Sequence, residues 1–446
     1  MFQIKGKYTT ATIMLDDIEE TCIAQINTFV NHPAFTNPVA IMPDTHAGMG
    51  SVIGFTMPLT DKVIPNVIGV DIGCGMLSIN IGKTIPIGLD IFDHRIRKMI
   101  PFGMEVRSRS DGVVHFKNDF PWKDVFGTAM SFKNSCKVMD GRGIDIPQYS
   151  MDWFEKMCGR VNIDLGRAIN SVATLGGGNH FIEVGKSDST GDYWLTIHTG
   201  SRNLGKKVCD YWQRIASKIV VQEKLDILNE KINKIRATYT GMEIKTKIKE
   251  ARVSIGLDVK VNDALQYLEG ANAFGYFFDM IFCQKYAEIN RYYIGKTICD
   301  KILGIDIDNV DKIESIHNFI DFKDFIIRKG SIRSYVGERV IIPFNMRDGI
   351  LICEGKSNPS WNYSSPHGSG RLMSRRQAKD TVQLEDFKKS MEGIFSTSVG
   401  QGTLDESPFA YKDAKVIEDA IGPTATIIDK IKPIMNLKDG NRDAND

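Results

Sequence analysis

Disulfide chemistry has no footing in this chain. Its eight cysteines, at 22, 74, 136, 158, 209, 283, 299 and 353, are scattered, with no Cys-x-x-Cys pair. That usage belongs to a reduced, intracellular protein. No run of about 18 apolar residues occurs, and the amino terminus lacks a basic region followed by an apolar core. We therefore expect a cytoplasmic protein with no membrane partner. A charge of one sign is lacking too: 56 Lys and Arg stand against 55 Asp and Glu. Any basic surface for a polyanion must then be local, because the net field gives no help. Internal repeats, low-complexity tracts and Pro- or Ser-rich linkers are also missing. The 446 residues read as one integrated domain, 1–446.

Two common nucleotide-binding signatures are absent. Gly-Lys-Ser/Thr occurs at Gly82, Gly185, Gly295 and Gly355, but the upstream glycine of a phosphate loop is replaced by Leu77, His180, Asn290 and Ile350. Without both glycines the loop amides cannot cradle phosphate. The Lys-x-Asp-Gly motif of lysine nucleotidyltransferases is missing as well. If nucleotide chemistry happens here, lysine does not carry it.

What is present alternates short strands with helices, an α+β pattern. Strands are expected at Val39–Met42, Val52–Phe55, Val67–Val70 and Tyr193–Ile197, with more short strands over 330–365. Apolar residues recur at helical spacing from Leu204 to about Glu250, broken at Gly241, which predicts a helical hairpin insertion over 204–260. A second long helix is expected over 264–293 and another over 371–391. The stretch 86–165 carries only weak helical signals. Residues 439–446 read as a polar tail.

The chemistry lies in five separated motifs. Asp71 and Cys74 stand in Gly69-Val70-Asp71-Ile72-Gly73-Cys74-Gly75, His180 in Gly178-Asn179-His180, His198 in His198-Thr199-Gly200, and His317 before Asn318. One carboxylate, one thiol and three imidazoles suit one or two divalent transition metals. Residues three apart on a strand point to opposite faces, so Asp71 and Cys74 converge only through a turn, which Gly73 and Gly75 permit. A thiolate can bridge two cations. Each residue also has a plain structural reading: a small buried cysteine in a tight turn, or a hydrogen-bonded core histidine. His46 is a further ligand candidate, and Asp44 a general base or a group supporting the ligands. His32, His94 and His115 lack ligand-type neighbours and are read as structural.

The fifth motif is His367-Gly368-Ser369-Gly370-Arg371. Its imidazole is free to act as a nucleophile toward phosphorus. Gly368 and Gly370 allow close approach of a phosphate, and Arg371, Arg375 and Arg376 supply forked donors. The alternative is a glycine-rich turn leading into a basic surface helix.

In this order the motifs resemble the RtcB-type RNA ligases. So do Pro43-Asp44-Thr45-His46-Ala47-Gly48, Asn290-Arg291, Arg328-Lys329-Gly330 and Asp405-Glu406-Ser407-Pro408 with Tyr411-Lys412-Asp413. The likeness runs from about residue 40 to 440 and implies one RtcB-like domain built around a dinuclear metal cleft. It implies a GTP- and manganese-dependent ligase joining RNA 3′-phosphate or 2′,3′-cyclic phosphate ends to 5′-hydroxyl ends. Asp71, Cys74, His180, His198 and His317 match the ligands of two Mn²⁺ ions, with Cys74 bridging. His367 matches the guanylylated histidine. Asn179, Glu183, Tyr411 and Lys438 match nucleotide-contacting positions, and Arg202, Arg371 and Arg375 match basic residues near the phosphate path. One segment departs: Ile342-Pro343-Phe344-Asn345-Met346-Arg347-Asp348-Gly349 stands where Ile-Pro-Gly-Ser-Met-Gly is commoner.

The RNA partner would meet a local basic region. Between Lys231 and Arg252 seven Lys or Arg (231, 234, 236, 245, 247, 249, 252) face two acids, Glu243 and Glu250, an excess of five. This is either a wall for an RNA backbone or a solvated helical face. Rival functions are a metal-dependent phosphoesterase, an end-capping enzyme and a non-catalytic RNA-binding factor. The first would need the metal ligands but not His367. The physiological RNA, and whether a helper protein takes part, are not written in the sequence.

Overall fold

The computed structural model describes residues 1–108, 115–255 and 263–440. From residue 441 on, the expected polar tail lies outside them, as do residues 256–260 of the expected insertion. The strands are β1 (Phe2–Lys5), β2 (Thr10–Ile13), β3 (Val39–His46), β4 (Ile53–Pro58), β5 (Gly75–Gly82), β6 (Phe181–Ser187), β7 (Tyr193–Thr199), β8 (Lys312–Ile316), β9 (Asn318–Asp321), β10 (Ile326–Lys329), β11 (Ser331–Arg333), β12 (Arg339–Pro343), β13 (Ile350–Gly355), β14 (Ser364–Pro366) and β15 (Ala425–Leu437). They form a six-stranded sheet in the order β1-β2-β3-β4-β10-β9, a seven-stranded sheet in the order β12-β13-β15-β6-β7-β5-β8, and the pair β11-β14. The mixed helix-and-sheet class is the expected one.

One residue joins the two large sheets. β8 is an edge of the seven-stranded sheet and β9 an edge of the six-stranded one, and only His317 separates them. The antiparallel register β6-β7-β5-β8 pairs Phe181 and Met76 with His198, and Gly75 with both Thr199 and Ile316. His180, His198, Cys74 and His317 therefore stand at the same end of four neighbouring strands.

The Gly270–Ile298 helix packs under this end. It has buried residues on every side through its middle, including Phe274, Phe277, Phe278, Phe282 and Tyr286. It starts six residues later than the spacing predicts. Near its end Arg291, fully buried, donates to the carbonyls of Gly73 at 2.7 Å and Thr199 at 3.0 Å and pairs with Glu314 at 2.8 Å. Asn290 donates to Gly200 O at 3.0 Å. Two adjacent side chains thus hold the loops bearing Cys74 and following His198.

The helical stretch from 204 is observed as two helices, Arg202–Thr238 and Met242–Ile255, with the break at 239–241. Two other expectations fail. Val67–Val70 is not a strand: Pro65–Ile68 is a short helix with Pro at its start, followed by Gly69 at φ +107°. A short buried apolar run has no period that separates strand from helix, and proline opens a helix at no hydrogen-bonding cost. Residues 371–391 are not one helix. Arg371 bridges to Tyr411 in extended pairing, and the helices are Arg375–Thr381 and Leu384–Ser390. Among the described residues no helix is long and apolar enough to cross a membrane. All eight cysteines are free and buried.

Replacing Arg291 by Ala strands two buried carbonyls and removes the ion pair with the exposed Glu314. We expect the denaturation midpoint to fall by the equivalent of about 3 kcal/mol or more, measured by urea unfolding of parent and variant.

Candidate metal and nucleotide site

The turn after Gly69 brings Asp71 and Cys74 to one side, closed by Cys74 N–H donating to Asp71 O at 3.1 Å. Gly73 takes φ +75°, and a Cβ there would lie 2.9 Å from Gln284 Cα, so the turn seats directly on the long helix. Cys74 Sγ lies 3.6 Å from His180 Nε2 and 3.4 Å from His198 Nε2. His198 Nε2 is 3.4 Å from His317 Nε2, and His180 Nε2 is 3.1 Å from Asp71 Oδ2. The donors fall into two groups, Cys74–His198–His317 and Asp71–Cys74–His180, each with ligand atoms mutually within 4.8 Å. The thiol belongs to both.

The proton positions test whether a metal fits. His180 Nδ1 faces Leu175 O at 3.0 Å and His198 Nδ1 faces Asn179 O at 3.1 Å. A carbonyl only accepts, so each Nδ1 carries the hydrogen and, in the neutral ring, each Nε2 points a lone pair inward. Burial and the neighbouring His180 hold His198 far below the usual histidine range, so its ring is neutral. Burial, with His367 as neighbour, does the same for His317. The His198 Nε2 lone pair then faces the Cys74 sulfur at 3.4 Å, an arrangement that a proton or a cation between them satisfies. The residues fit a metal. Burial pushes the Cys74 thiol well above its usual range, with the Asp71 carboxylate adding to it, and a cation reverses that preference. Asp71 itself stays low: burial raises it, but His180, Arg202 and Ser201 outweigh this.

His367 follows β14 and stacks obliquely on His317, ring centroids 4.7 Å apart. Asp44, fully buried in β3, accepts through Oδ2 from His367 Nδ1 at 2.6 Å, His367 N at 3.0 Å and Gly368 N at 3.2 Å. Asp44 therefore supports the imidazole from behind and leaves Nε2 for the cleft. Gly370 has φ +73°, and a Cβ there would meet Asp44 O at 2.2 Å. Its freedom is used against the protein's own backbone, where the sequence suggested approach of a phosphate.

The cleft has a volume of about 700 Å³ and is lined by His198, His317, His367, Gly368, Gly370, Arg371, Arg375, Asn179, Glu183, Tyr411 and Lys438, among others. Lys438 donates to Glu406 Oε2 at 2.9 Å and Asn179 O at 3.4 Å. Glu406, fully buried, also accepts from Tyr411 at 2.7 Å and pairs with Arg371 at 3.4 Å. Burial opposes its charge, but Lys438, Arg371 and Arg375 hold it below the usual carboxylate range. Glu183 receives one hydrogen bond, from Asn436 at 2.7 Å, and its Oε1 is buried with no partner among the described residues. Burial pushes its carboxyl up to about 8, against the pull of Asn436 and Lys438.

Arg202 does not line the cleft. It donates to Thr174 Oγ1 and Gly103 O, at 3.0 and 2.8 Å, and acts electrostatically on Asp71. His46 lines the cleft but joins neither ligand group; Nδ1 faces Asp44 O at 3.0 Å, and burial brings it down to about 4. His32, His94 and His115 lie away from the cleft lining. Glu406 and Asn436 were not singled out from sequence, although Glu406 stood inside a quoted motif. The divergent 344–349 segment is the β12–β13 turn. Asn345 Oδ1 accepts from the amides of Arg347 and Asp348, both at 3.0 Å, and Phe344, Asn345 and Met346 line the cleft.

Fold and site together define a class: a candidate metal cluster sharing one thiol, opening on a cleft lined by a carboxylate-backed histidine. The chain belongs to the RtcB family, whose model, described as tRNA-splicing ligase RtcB, matches residues 25–439. It is 25% identical over 440 residues to an RNA-splicing ligase RtcB of Escherichia coli K12, covering 94% of this chain and 95% of that one. It is 24% identical to a tRNA-splicing ligase RtcB of Nanoarchaeum equitans and 23% to one of Archaeoglobus fulgidus, each covering 94% of this chain and 92% of the relative.

Two outcomes follow. With Co²⁺ as an optical probe, the parent chain should show a thiolate-to-metal absorption that Cys74→Ser loses, whereas Asp71→Asn should keep the band and bind Co²⁺ more weakly. The folded state holds a proton on Glu183 that the unfolded chain releases above about pH 4.3, so this residue's contribution falls as pH rises toward 8. Glu183→Gln should therefore gain in melting temperature over the parent chain from pH 5 to pH 9, by the equivalent of up to ~3 kcal/mol.

Proposed function

We propose that this chain is an RNA ligase that uses GTP and two manganese ions to join RNA 3′-phosphate or 2′,3′-cyclic phosphate ends to 5′-hydroxyl ends, in RNA repair or tRNA splicing. The carrying observation is His367 beside the donor cluster, its Nδ1 bound to buried Asp44 at 2.6 Å. Membership of the RtcB family and the names of its relatives support RNA as the substrate.

In this reading Asp71, Cys74, His180, His198 and His317 would hold the two ions. Bound there, the ions supply Lewis acidity toward phosphate oxygens and keep Cys74 a thiolate. Asp44 fixes the ring so that Nε2 attacks the α-phosphorus of GTP; the N–P bond forms as the bond to pyrophosphate breaks. The same carboxylate stabilises the positive charge that develops on the ring. The GMP then passes from Nε2 to an oxygen of the RNA 3′-phosphate, giving RNA-(3′)pp(5′)G. The RNA 5′-hydroxyl attacks the RNA-side phosphorus, loses its proton and expels GMP. A cyclic end is first hydrolysed to the 3′-phosphate. Asn179, Glu183, Gly368, Tyr411 and Lys438 receive the nucleotide, while Arg371 and Arg375 face its phosphates; Gly370 instead lets the loop pack on the Asp44 backbone. Arg202 acts through Asp71.

We infer further that 1–446 works as one catalytic domain in the cytoplasm, where its thiols stay reduced, with 204–260 as a helical hairpin insertion and 439–446 as a polar tail.

The test is incubation with α-labelled GTP and Mn²⁺, followed by a denaturing gel. The parent chain should retain label and His367→Ala should not. Asp44→Asn should label about 10²-fold more slowly or worse at unchanged metal content. Absence of label on fully metallated parent protein would sink the ligase reading in favour of a phosphoesterase.

A further inference from the structure

The Arg202–Thr238 helix starts at the candidate metal site: Ser201, just before it, donates to Asp71 Oδ1 through its amide at 3.0 Å and its hydroxyl at 3.2 Å. From there 37 residues at about 1.5 Å each make a rod of ~55 Å. Its first half is anchored by Leu204, Val208, Trp212 and Ala216, but beyond these its only buried residue is Leu228. The distal half is steadied instead by the Met242–Ile255 helix. A seam of Leu228, Ile232 and Ile235 against Ile244, Ile248 and Ala251, all buried or half-buried, joins the two.

Helical spacing about that seam divides the charges unequally. Lys231 donates to Ser254 Oγ at 3.0 Å, which marks one edge as the side shared by those two residues. Lys234 and Lys247 fall on that side, together with Glu243 and Glu250, and Lys247 pairs with Glu250 at 2.8 Å. Arg236, Lys245, Lys249 and Arg252 fall on the other side, all exposed. Between residues 231 and 252 that face carries no acid, and Arg236, Lys245 and Lys249 form no ion pair among the described residues. In a chain of net charge +1, Arg236, Lys245 and Lys249 on one face of an arm, with Arg252 beside them, are a local field of the sign a polyanion needs.

We propose that this face is a docking surface for the phosphate backbone of a structured RNA, roughly 40–50 Å along the rod from Asp71. The proposal rests on the RNA ligase reading and gives it a substrate class. The preferred RNA carries its broken ends on a folded body long enough to lie along the arm while the ends occupy the cleft. Backbone contacts of this kind position without reading sequence, in keeping with a face that holds four cations and no aromatic ring.

The test compares the parent chain with a quadruple variant, R236E/K245E/K249E/R252E, and with K234E/K247E on the opposite face. Two RNAs bearing the same ends are used: a short single-stranded oligonucleotide, and a hairpin whose stem reaches ~50 Å from the ends. Binding is followed by fluorescence anisotropy over a salt series, and joining by gel. The quadruple variant should bind the hairpin about tenfold more weakly or worse, with its salt slope reduced by about 3 to 4, while binding and joining the short oligonucleotide as the parent does. K234E/K247E should behave as the parent on both RNAs. Equal losses for the two variants, equal losses on the two RNAs, or unchanged hairpin affinity would each overturn the proposal. The last would leave an acidic protein surface as the rival occupant. Circular dichroism confirms that the variants are folded. Labelling of His367 by GTP needs no RNA, so its failure in the parent would count against the ligase reading while the binding comparison still judges the arm.

Discussion

The centre of this molecule packs five side chains of metal-ligating type into a largely buried space, and the rest of the structure has to hold them there. The carbonyls of Leu175 and Asn179 take the Nδ1 hydrogens of His180 and His198, so in the neutral rings the Nε2 lone pairs converge on Cys74 and its neighbours. Such an arrangement is costly without a cation or protons to neutralise it. It persists because the surrounding structure leaves little freedom. The antiparallel register puts the donors at one sheet end, and Arg291 and Asn290 hold the neighbouring loops by their carbonyls. This is preorganisation in a literal sense: the donors are placed by strand pairing and buried hydrogen bonds before any ion arrives.

His367, the proposed nucleophile, is tied to the same frame by a different route. His317 is the single residue between the two large sheets, and His367 packs on it from the end of β14. Asp44 reaches His367 from β3 and takes three hydrogen bonds on one oxygen. The donor cluster belongs to one sheet, the carboxylate behind the nucleophile to the other, and His317 touches both. A shift between the sheets would change the distance from nucleophile to donors directly. That makes the packed junction at His317 part of the site's chemistry as well as of its architecture.

The far wall of the cleft shows how charge is made tolerable in a buried place. Glu406 is surrounded by Lys438, Arg371 and Tyr411, so the negative charge is paired and the cations are held apart. Glu183, with one amide partner and an orphan oxygen, is the opposite case and keeps its proton near neutrality. Two carboxyl groups in one cleft thus differ in charge because their neighbours differ.

Residue type and spacing determined a good deal by themselves. The residue types that cluster at the cleft and the helix break near Gly241 were legible, since thiols, imidazoles and glycines carry their chemistry locally. The α+β class followed from short strands set among helices. Other features required the folded chain. Val67–Val70 looked like a strand because a short apolar run has no period to betray a helix. Residues 371–391 looked like one helix, whereas pairing with Tyr411 draws Arg371 into an extended bridge. Arg202 reads as a phosphate ligand until Thr174 and Gly103 are seen to take its donors. Gly370 reads as room for a phosphate until the Asp44 carbonyl is found occupying that space. Which chemistry is available was decided by the side chains in the sequence. Which atoms share a proton, which carboxylate is neutral and which cation is already satisfied were decided by contacts made in the folded chain, as far apart in sequence as Asp44 and His367, and no local pattern encodes those.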